Sequence, residues 1–298
     1  MADIRFDGLG VALITPFHKD LSIDFEALGE LIENLISGGC NYLVVLGTTA
    51  ETPTLSFDEK QEVARYVREK TGGRIPLVLG IGGNNTSGVI EDINKRDLDG
   101  YSAILSVTPY YNKPTQEGLF LHYKAIAENS PLPIILYNVP GRTGVNLSSR
   151  TTIRLANLSD KIIGVKEASG NFDQCKEIIQ NTPTKFQLIS GDDAATCALM
   201  KTGGCGVISV LANAFPKEVK RLVNLCHNKE FEQAQIYQTS MLSLISHLFE
   251  DGNPAGVKSI LYKMGRIENV LRLPLVPVSN EVEDKLERAT KEFLQNPK

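Results

Sequence analysis

Residues 161–171 read Lys-Ile-Ile-Gly-Val-Lys-Glu-Ala-Ser-Gly-Asn (KIIGVKEASGN). Ile162 to Val165 make a short, continuously apolar run, the mark of a strand covered on both faces, and Lys166 stands at its far end. Taken over 162–169, this run is one of eight; the others are VALITP (11–16), YLVVLG (42–47), PLVLGIG (76–82), AILSVTP (103–109), PIILYNVP (133–140), FQLISGDD (186–193) and GVISV (206–210). Each is followed by a segment with helical periodicity. In SFDEKQEVARYVREKTGG, Ser56 and Glu59 have capping-box spacing and Gly72-Gly73 closes the helix; DFEALGELIENLISGG opens at Asp24 and ends in the same way. Eight strand–helix units of about 25–30 residues predict an α/β fold, a closed (β/α)8 TIM barrel in place of an open doubly wound sheet.

The strand signal stops near residue 230. KEFEQAQIYQTSMLSLISHLFE, PAGVKSILYKMG and NEVEDKLERATKEFLQ are all helical in pattern, so the expected organisation is a catalytic barrel over 1–230 and a C-terminal helical region over 231–298. The loop ENVLRLPLVPVSN (268–280) is apolar and proline-rich, which favours a packed segment over a free linker.

Composition narrows the function classes. The 298 residues are 42% hydrophobic and 22% charged, with 31 basic and 35 acidic side chains and a formal charge of -4. No basic tract suits nucleic acid or an anionic membrane, so neither is an expected partner. The opening MADIRFDGLG lacks the apolar core of a signal peptide and no apolar run reaches membrane-spanning length, which points to the cytoplasm. The five cysteines are scattered without a C-x-x-C pair and the four histidines without a ligand spacing. Neither a disulfide framework nor a metal site is expected, and the cysteines read as reduced and mostly buried.

In a barrel of this kind the chemistry lies where the strands end. Those positions carry Thr15-Pro16, GTTAET (47–52), GIGGNN (80–85), TPYYNKP (108–114), YNVPGRTG (137–144), Lys166-Glu167 and SGDD (190–193). A rim lysine paired with Glu167 is the plain reading of Lys166. Neighbouring strand residues face opposite ways, however, so a Lys166 turned into the barrel leaves Glu167 among the helices. An unpaired lysine there can give up its proton and attack a carbonyl as a neutral amine, forming a Schiff base. Tyr137 could shuttle protons to it, with Thr48 and Tyr111 as relay hydroxyls, and Arg142 suits bidentate capture of a carboxylate. GIGGNN lacks the lysine of a phosphate loop and reads as a tight turn; Asp192-Asp193 has no third ligand and reads as a helix cap.

In order and spacing, GTTAET, TPYYNKPTQEGL, ILYNVPGRTG, IIGVKEASGN, LISGDDA and GGCGVISVLAN resemble the dihydrodipicolinate synthases (4-hydroxy-tetrahydrodipicolinate synthases), of the pyruvate-dependent class I aldolase superfamily, from about Gly8 to about Pro277. The resemblance implies a lyase that condenses pyruvate with L-aspartate 4-semialdehyde on the route to lysine and diaminopimelate. It needs no cofactor beyond the covalent imine between Lys166 and pyruvate. It further implies Tyr137 as proton donor and acceptor, Thr48 as its relay partner, and Tyr111 reaching in across an interface of a homotetramer built from two tight dimers. Thr49, Gly191 and Ile208 would bind pyruvate, and Arg142 the carboxylate of the semialdehyde. YNVPGRTG and KEASGN favour this member over sialic-acid or sugar-acid lyases, the alternative within the superfamily; a non-catalytic ligand-binding homologue is the alternative outside it.

Two departures from the family pattern stand out. Ala50 replaces a second glycine, a change an ordinary φ tolerates. By the same resemblance Thr52, Asn84 and Tyr110 match a lysine-effector pocket, but Gly88 stands in place of its acidic residue and Phe57 and Lys60 in place of histidines. Weak or absent feedback by lysine is the expectation, because a buried ammonium needs its counter-charge.

Overall fold

Eight parallel strands pair in chain order and β8 returns to β1, closing a barrel, in the computed structural model, which describes residues 5–295. The strands are β1 (Gly8–Ala12), β2 (Tyr42–Val45), β3 (Leu77–Gly80), β4 (Ala103–Val107), β5 (Ile134–Asn138), β6 (Ile162–Glu167), β7 (Gln187–Ser190) and β8 (Gly206–Ser209). Between them run α1 (Phe25–Ser37), α2 (Phe57–Thr71), α3 (Thr86–Lys95), α4 (Gln116–Asn129), the single turn α5 (Pro140–Thr143), α6 (Ser149–Leu158), α7 (Phe172–Asn181) and α8 (Thr196–Thr202). After β8 come α9 (Pro216–His227), α10 (Phe231–Glu250), α11 (Ala255–Lys263) and α12 (Asn280–Gln295), with α10 lying against α8, α9, α11 and α12. The extremes of the two expected regions, residues 1–4 and 296–298, lie outside the described residues.

The first strand is displaced from its expected position. It spans Gly8–Ala12 instead of 11–16, because the glycines that look like turn signals serve the barrel wall. A Cβ at Gly10 would stand 2.3 Å from the Tyr42 ring, so only glycine lets β1 lie beside that side chain. Helix starts follow the sequence more closely. Ser56 and Glu59 form the reciprocal capping box and Asp24 accepts from the Ala27 N–H. Asp192 accepts from Ala194 N as a cap should, but Asp193 turns inward to Ser209 Oγ and to the N–H groups of Val210 and Leu211, clasping the ends of β7 and β8 together. The 268–280 loop is only half packed: Leu271 is buried and Val278 rests on the core, while Leu273 and Val276 are exposed.

One irregularity decides where the lysine points. Along most strands alternate residues divide cleanly, with Val44, Val78, Leu105, Ile135, Ile189 and Ile208 inside the barrel and Leu43, Leu79, Ile104, Leu136, Leu188 and Val207 under the helices. On β6, Ile162 packs outward and Ile163 inward, so unbroken alternation would send Val165 in and Lys166 out. Pairing with β5 instead skips a residue: Ile134 faces Ile162, but Ile135 faces Gly164. This bulge restarts the alternation, so Val165 joins the outer core and Lys166 pairs with Tyr137 across β5 and Ile189 across β7. Gly164 permits it, since a Cβ there would meet Gln187 O at 2.6 Å.

Beneath the helices a buried histidine bears on the pH dependence of stability. His122 on α4 shares a hydrogen bond with Thr86 Oγ1 (2.9 Å) through Nδ1, its Nε2 has no hydrogen-bond partner, and burial pushes its pKa down to about 4. The unfolded imidazole takes up a proton near pH 6.5, well before the folded one does. Stability is therefore expected to fall as pH drops from about 6.5 towards 4, and a thermal-unfolding series in His122→Gln should show a flatter profile across that window than the wild type.

Candidate active site

Lys166 ends up at the mouth of the barrel, 5% exposed. Among the described residues no carboxylate lies within ion-pairing distance of it; its Nζ stands 4.3 Å over the centre of the Tyr137 ring. Glu167, its neighbour in sequence, is satisfied elsewhere. It accepts from Asn138 Nδ2 (3.0 Å), Ser169 N (2.7 Å) and Gln174 Nε2 (2.9 Å), all on the helix side of the sheet. A buried amine at the edge of a cavity, with no ion-pair partner, is an arrangement suited to nucleophilic attack.

Two adjoining cavities open there. The inner one, about 570 Å³, is bordered by Lys166, Thr49, Gly191 and Asp192, and roofed by Leu242, Ile245 and Phe249 of α10. The outer one, about 730 Å³, extends past Tyr110 and Tyr111 to Lys60 and Arg96. Thr48, Tyr137, Val139 and Arg142 border both and mark the passage between them. Together these spaces could admit a two-substrate reaction, with a small keto acid inside and a longer partner at the mouth.

The expected residues divide into three groups. Lys166, Tyr137, Thr48, Thr49, Gly191 and Arg142 converge on the inner cavity. A Cβ at Gly191 would come within 2.8 Å of Ala168 Cβ and 3.1 Å of the Lys166 stem, so the glycine leaves the lysine room. Arg142 is exposed on the α5 turn; its backbone N–H donates to Val139 O (2.9 Å), but its side chain makes no hydrogen bond or ion pair among the described residues, which leaves the guanidinium available to an anion. Ile208 lies in the barrel interior, within the same apolar cluster as Tyr137, and does not border either cavity. Tyr111 stands apart: it is 89% exposed, its backbone is held at φ 72, and within one chain it makes no hydrogen bond to Tyr137 or Thr48. The hydroxyls of Tyr137 and Thr48 are likewise not joined to each other.

At the outer end, Thr52 Oγ1 donates to Gly47 O (2.8 Å) and Asn84 Nδ2 to Tyr110 O (3.3 Å). Thr52 and Tyr110 border the larger cavity together with Lys60, Asp92 and Arg96. Its carboxylate, Asp92, is already engaged by Arg96 through two hydrogen bonds of 2.9 and 3.1 Å. Burial, with Arg96 nearby, lowers the Lys60 pKa. Phe57 lies under the Arg96 guanidinium at 5.6 Å.

Several contacts near the site are recorded by no motif spacing. Asn253 Nδ2 donates to Thr49 Oγ1 (2.9 Å), Thr15 Oγ1 donates to Ala50 O (2.9 Å), and Lys258 reaches Glu51 from α11. Thr15 is visible in the sequence as a strand-end hydroxyl and Lys258 as a charge within the largely apolar AGVKSIL; Asn253 leaves no trace. Ala50 lies in the helical turn Thr48–Ala50, and the left-handed residue that ends the turn is Glu51 (φ 55), so the alanine is tolerated. All five cysteines are free and four of them are buried. Among the described residues, no group of three or more His, Cys, Asp or Glu is placed to hold a metal ion, and no helix is long and apolar enough to cross a membrane.

A closed (β/α)8 barrel with an unpaired lysine in its mouth, a tyrosine ring under that lysine and an arginine at the rim defines a lysine-centred barrel enzyme. The chain belongs to the dihydrodipicolinate synthetase family, whose model matches residues 5–293. It is 53% identical over 293 residues to the 4-hydroxy-tetrahydrodipicolinate synthase of Parabacteroides distasonis, covering 98% of this chain and 99% of that one. A crystal structure of the chloride-inhibited dihydrodipicolinate synthase of Acinetobacter baumannii, complexed with pyruvate, is 42% identical and superposes with a TM-score of 0.93, covering 97% of this chain and 99% of that one. A dihydrodipicolinate synthase described as the first monomeric variant is 40% identical, with a TM-score of 0.93 and 96% of each chain covered.

Proposed function

We propose that this enzyme condenses pyruvate with L-aspartate 4-semialdehyde to 4-hydroxy-tetrahydrodipicolinate, through an imine on Lys166 and without a cofactor. Family membership and the names of its relatives support the reaction; the observation that carries the mechanism is the unpaired, buried Lys166 facing Tyr137. The neutral amine attacks C2 of pyruvate and the carbinolamine loses water to give the imine, an electron sink that lets C3 release a proton. The resulting enamine carbon forms a bond to the aldehyde carbon of the semialdehyde. The semialdehyde's own amine then attacks C2, closing the ring and expelling Lys166 as a free amine, so that one water is released overall.

In this reading Tyr137 carries the protons and Thr48 and Tyr111 connect it to solvent. Thr49 holds the pyruvate carboxylate, helped by the backbone of Gly191 and Ile208, and Arg142 pairs with the carboxylate of the semialdehyde. The exposure of Tyr111 supports its presentation to a second copy of the chain, within a homotetramer of two tight dimers. A catalytic barrel over residues 1–230 with a helical region over 231–298 remains the division we propose. At the outer cavity, Asp92 is committed to Arg96 and Gly88 offers no carboxylate, which supports weak or absent inhibition by lysine.

The distinguishing experiment supplies pyruvate with either L-aspartate 4-semialdehyde or N-acetylmannosamine and follows pyruvate consumption. Turnover is expected with the semialdehyde alone, unchanged by added lysine. Turnover with the amino sugar alone would move the enzyme to the sialic-acid lyases, and turnover with neither would favour the non-catalytic reading.

A further inference from the structure

The Thr48–Ala50 turn is held from the opposite end of the chain. Glu51, which ends it, is buried with a left-handed backbone (φ 55) that non-glycine residues seldom adopt. Both of its carboxylate oxygens are engaged by residues more than 200 positions away: Oε1 by Lys258 Nζ of α11, and Oε2 by the Arg272 N–H at 3.0 Å. Lys258 is 0% exposed, donates also to Val270 O (3.0 Å), and lies 4.3 Å from the centre of the Phe17 ring. The Arg272 side chain extends the clamp, donating to Thr54 O (3.1 Å), to Leu21 O (2.6 Å) and to both oxygens of Glu59 (2.9 and 2.6 Å). Asn253 adds a separate contact, donating to Thr49 Oγ1 (2.9 Å) and leaving that hydroxyl's own proton free to point into the cavity.

A buried ion pair is weak evidence for stability, because desolvating both charges offsets most of their attraction. What such a pair supplies here is direction. Each oxygen of Glu51 has a donor of fixed position, so the carboxylate cannot rotate without stranding Lys258, and the left-handed residue cannot relax without moving Thr48 and Thr49. We infer that the Lys258–Glu51 pair is a positioning device through which the C-terminal helices hold the Thr48–Ala50 turn in register with Lys166. The inference rests on the roles proposed for Thr48 and Thr49, and neither Glu51 nor Lys258 touches substrate.

The test uses the full-length enzyme as Lys258→Met and as Glu51→Gln/Lys258→Met, the second of which buries no lone charge. For each, kcat and both KM values are measured per site that borohydride traps with pyruvate, alongside Tm. A displaced turn is expected to cost about 100-fold in kcat per trappable site. It should raise the pyruvate KM about tenfold while leaving the semialdehyde KM within about twofold, because Arg142 is not part of the clamp. The double variant should regain Tm without regaining kcat, and it decides the question alone where Lys258→Met does not fold. Wild-type kcat and pyruvate KM per trappable site in a folded double variant would reduce the pair to a structural contact. Failure of the wild type to trap pyruvate would instead remove the proposed imine, and the inference with it.

Discussion

Lys166→Met is expected to lose on the order of 10⁴-fold or more in kcat, the scale seen when a covalent enzyme loses its nucleophile. Among the described residues no other lysine borders the inner cavity: Lys60 borders only the outer cavity, and Lys258 is enclosed behind Glu51. Methionine keeps most of the length and the apolar stem of the lysine and removes a buried amino group that has no carboxylate partner among the described residues. Thermal stability should therefore hold or rise while activity disappears, the trade expected where a residue serves function at the expense of packing. Steady-state turnover together with a melting curve checks both halves. A variant that loses activity only in proportion to lost folded protein would deny Lys166 a chemical role.

Tyr111 offers a test of geometry across chains. Tyr111→Phe is expected to lower kcat about 100-fold, at the low end of the 10²–10⁴ range for a positioned acid–base group, while imine formation with pyruvate persists. Within one chain the side chain is 89% exposed on a backbone held at φ 72, and the proposed contribution is to the site of a second copy. Co-expressing Tyr111→Phe with Lys166→Met makes this measurable. In a hybrid dimer one site combines the lysine of the first chain with the tyrosine of the second. Random pairing gives half hybrids with one intact site in two, so the mixture should recover about a quarter of wild-type activity. If Tyr111 acts on its own chain's lysine, no site is complete and the mixture gives no more than the sum of its parents.

The legibility of this protein varies with the range of the interaction involved. The barrel was readable because buried parallel strands are continuously apolar, and the caps of α1 and α2 because capping residues lie within four positions of each other. The start of β1 was not, since Gly8 and Gly10 look like turn residues until the Asn41 side chain is placed beside the first and the Tyr42 ring beside the second. Opposite orientation of Lys166 and Glu167 follows from strand geometry, but which of the two faces inward depends on the bulge opposite Ile134 and Ile135, whose only trace in sequence is Gly164. Least readable was the clamp on the Thr48–Ala50 turn. Asn253, Lys258 and Arg272 reach Thr49 and Glu51 from more than 200 residues away, and no local spacing records such a pairing.

The central claim is the covalent one, and it is tested most directly by intact-mass spectrometry after incubation with pyruvate and borohydride, followed by peptide mapping. The account predicts one reduced pyruvate adduct per chain, located on Lys166 and absent from Lys166→Met. Folded wild-type enzyme that traps no pyruvate, or traps it on another lysine, would contradict it.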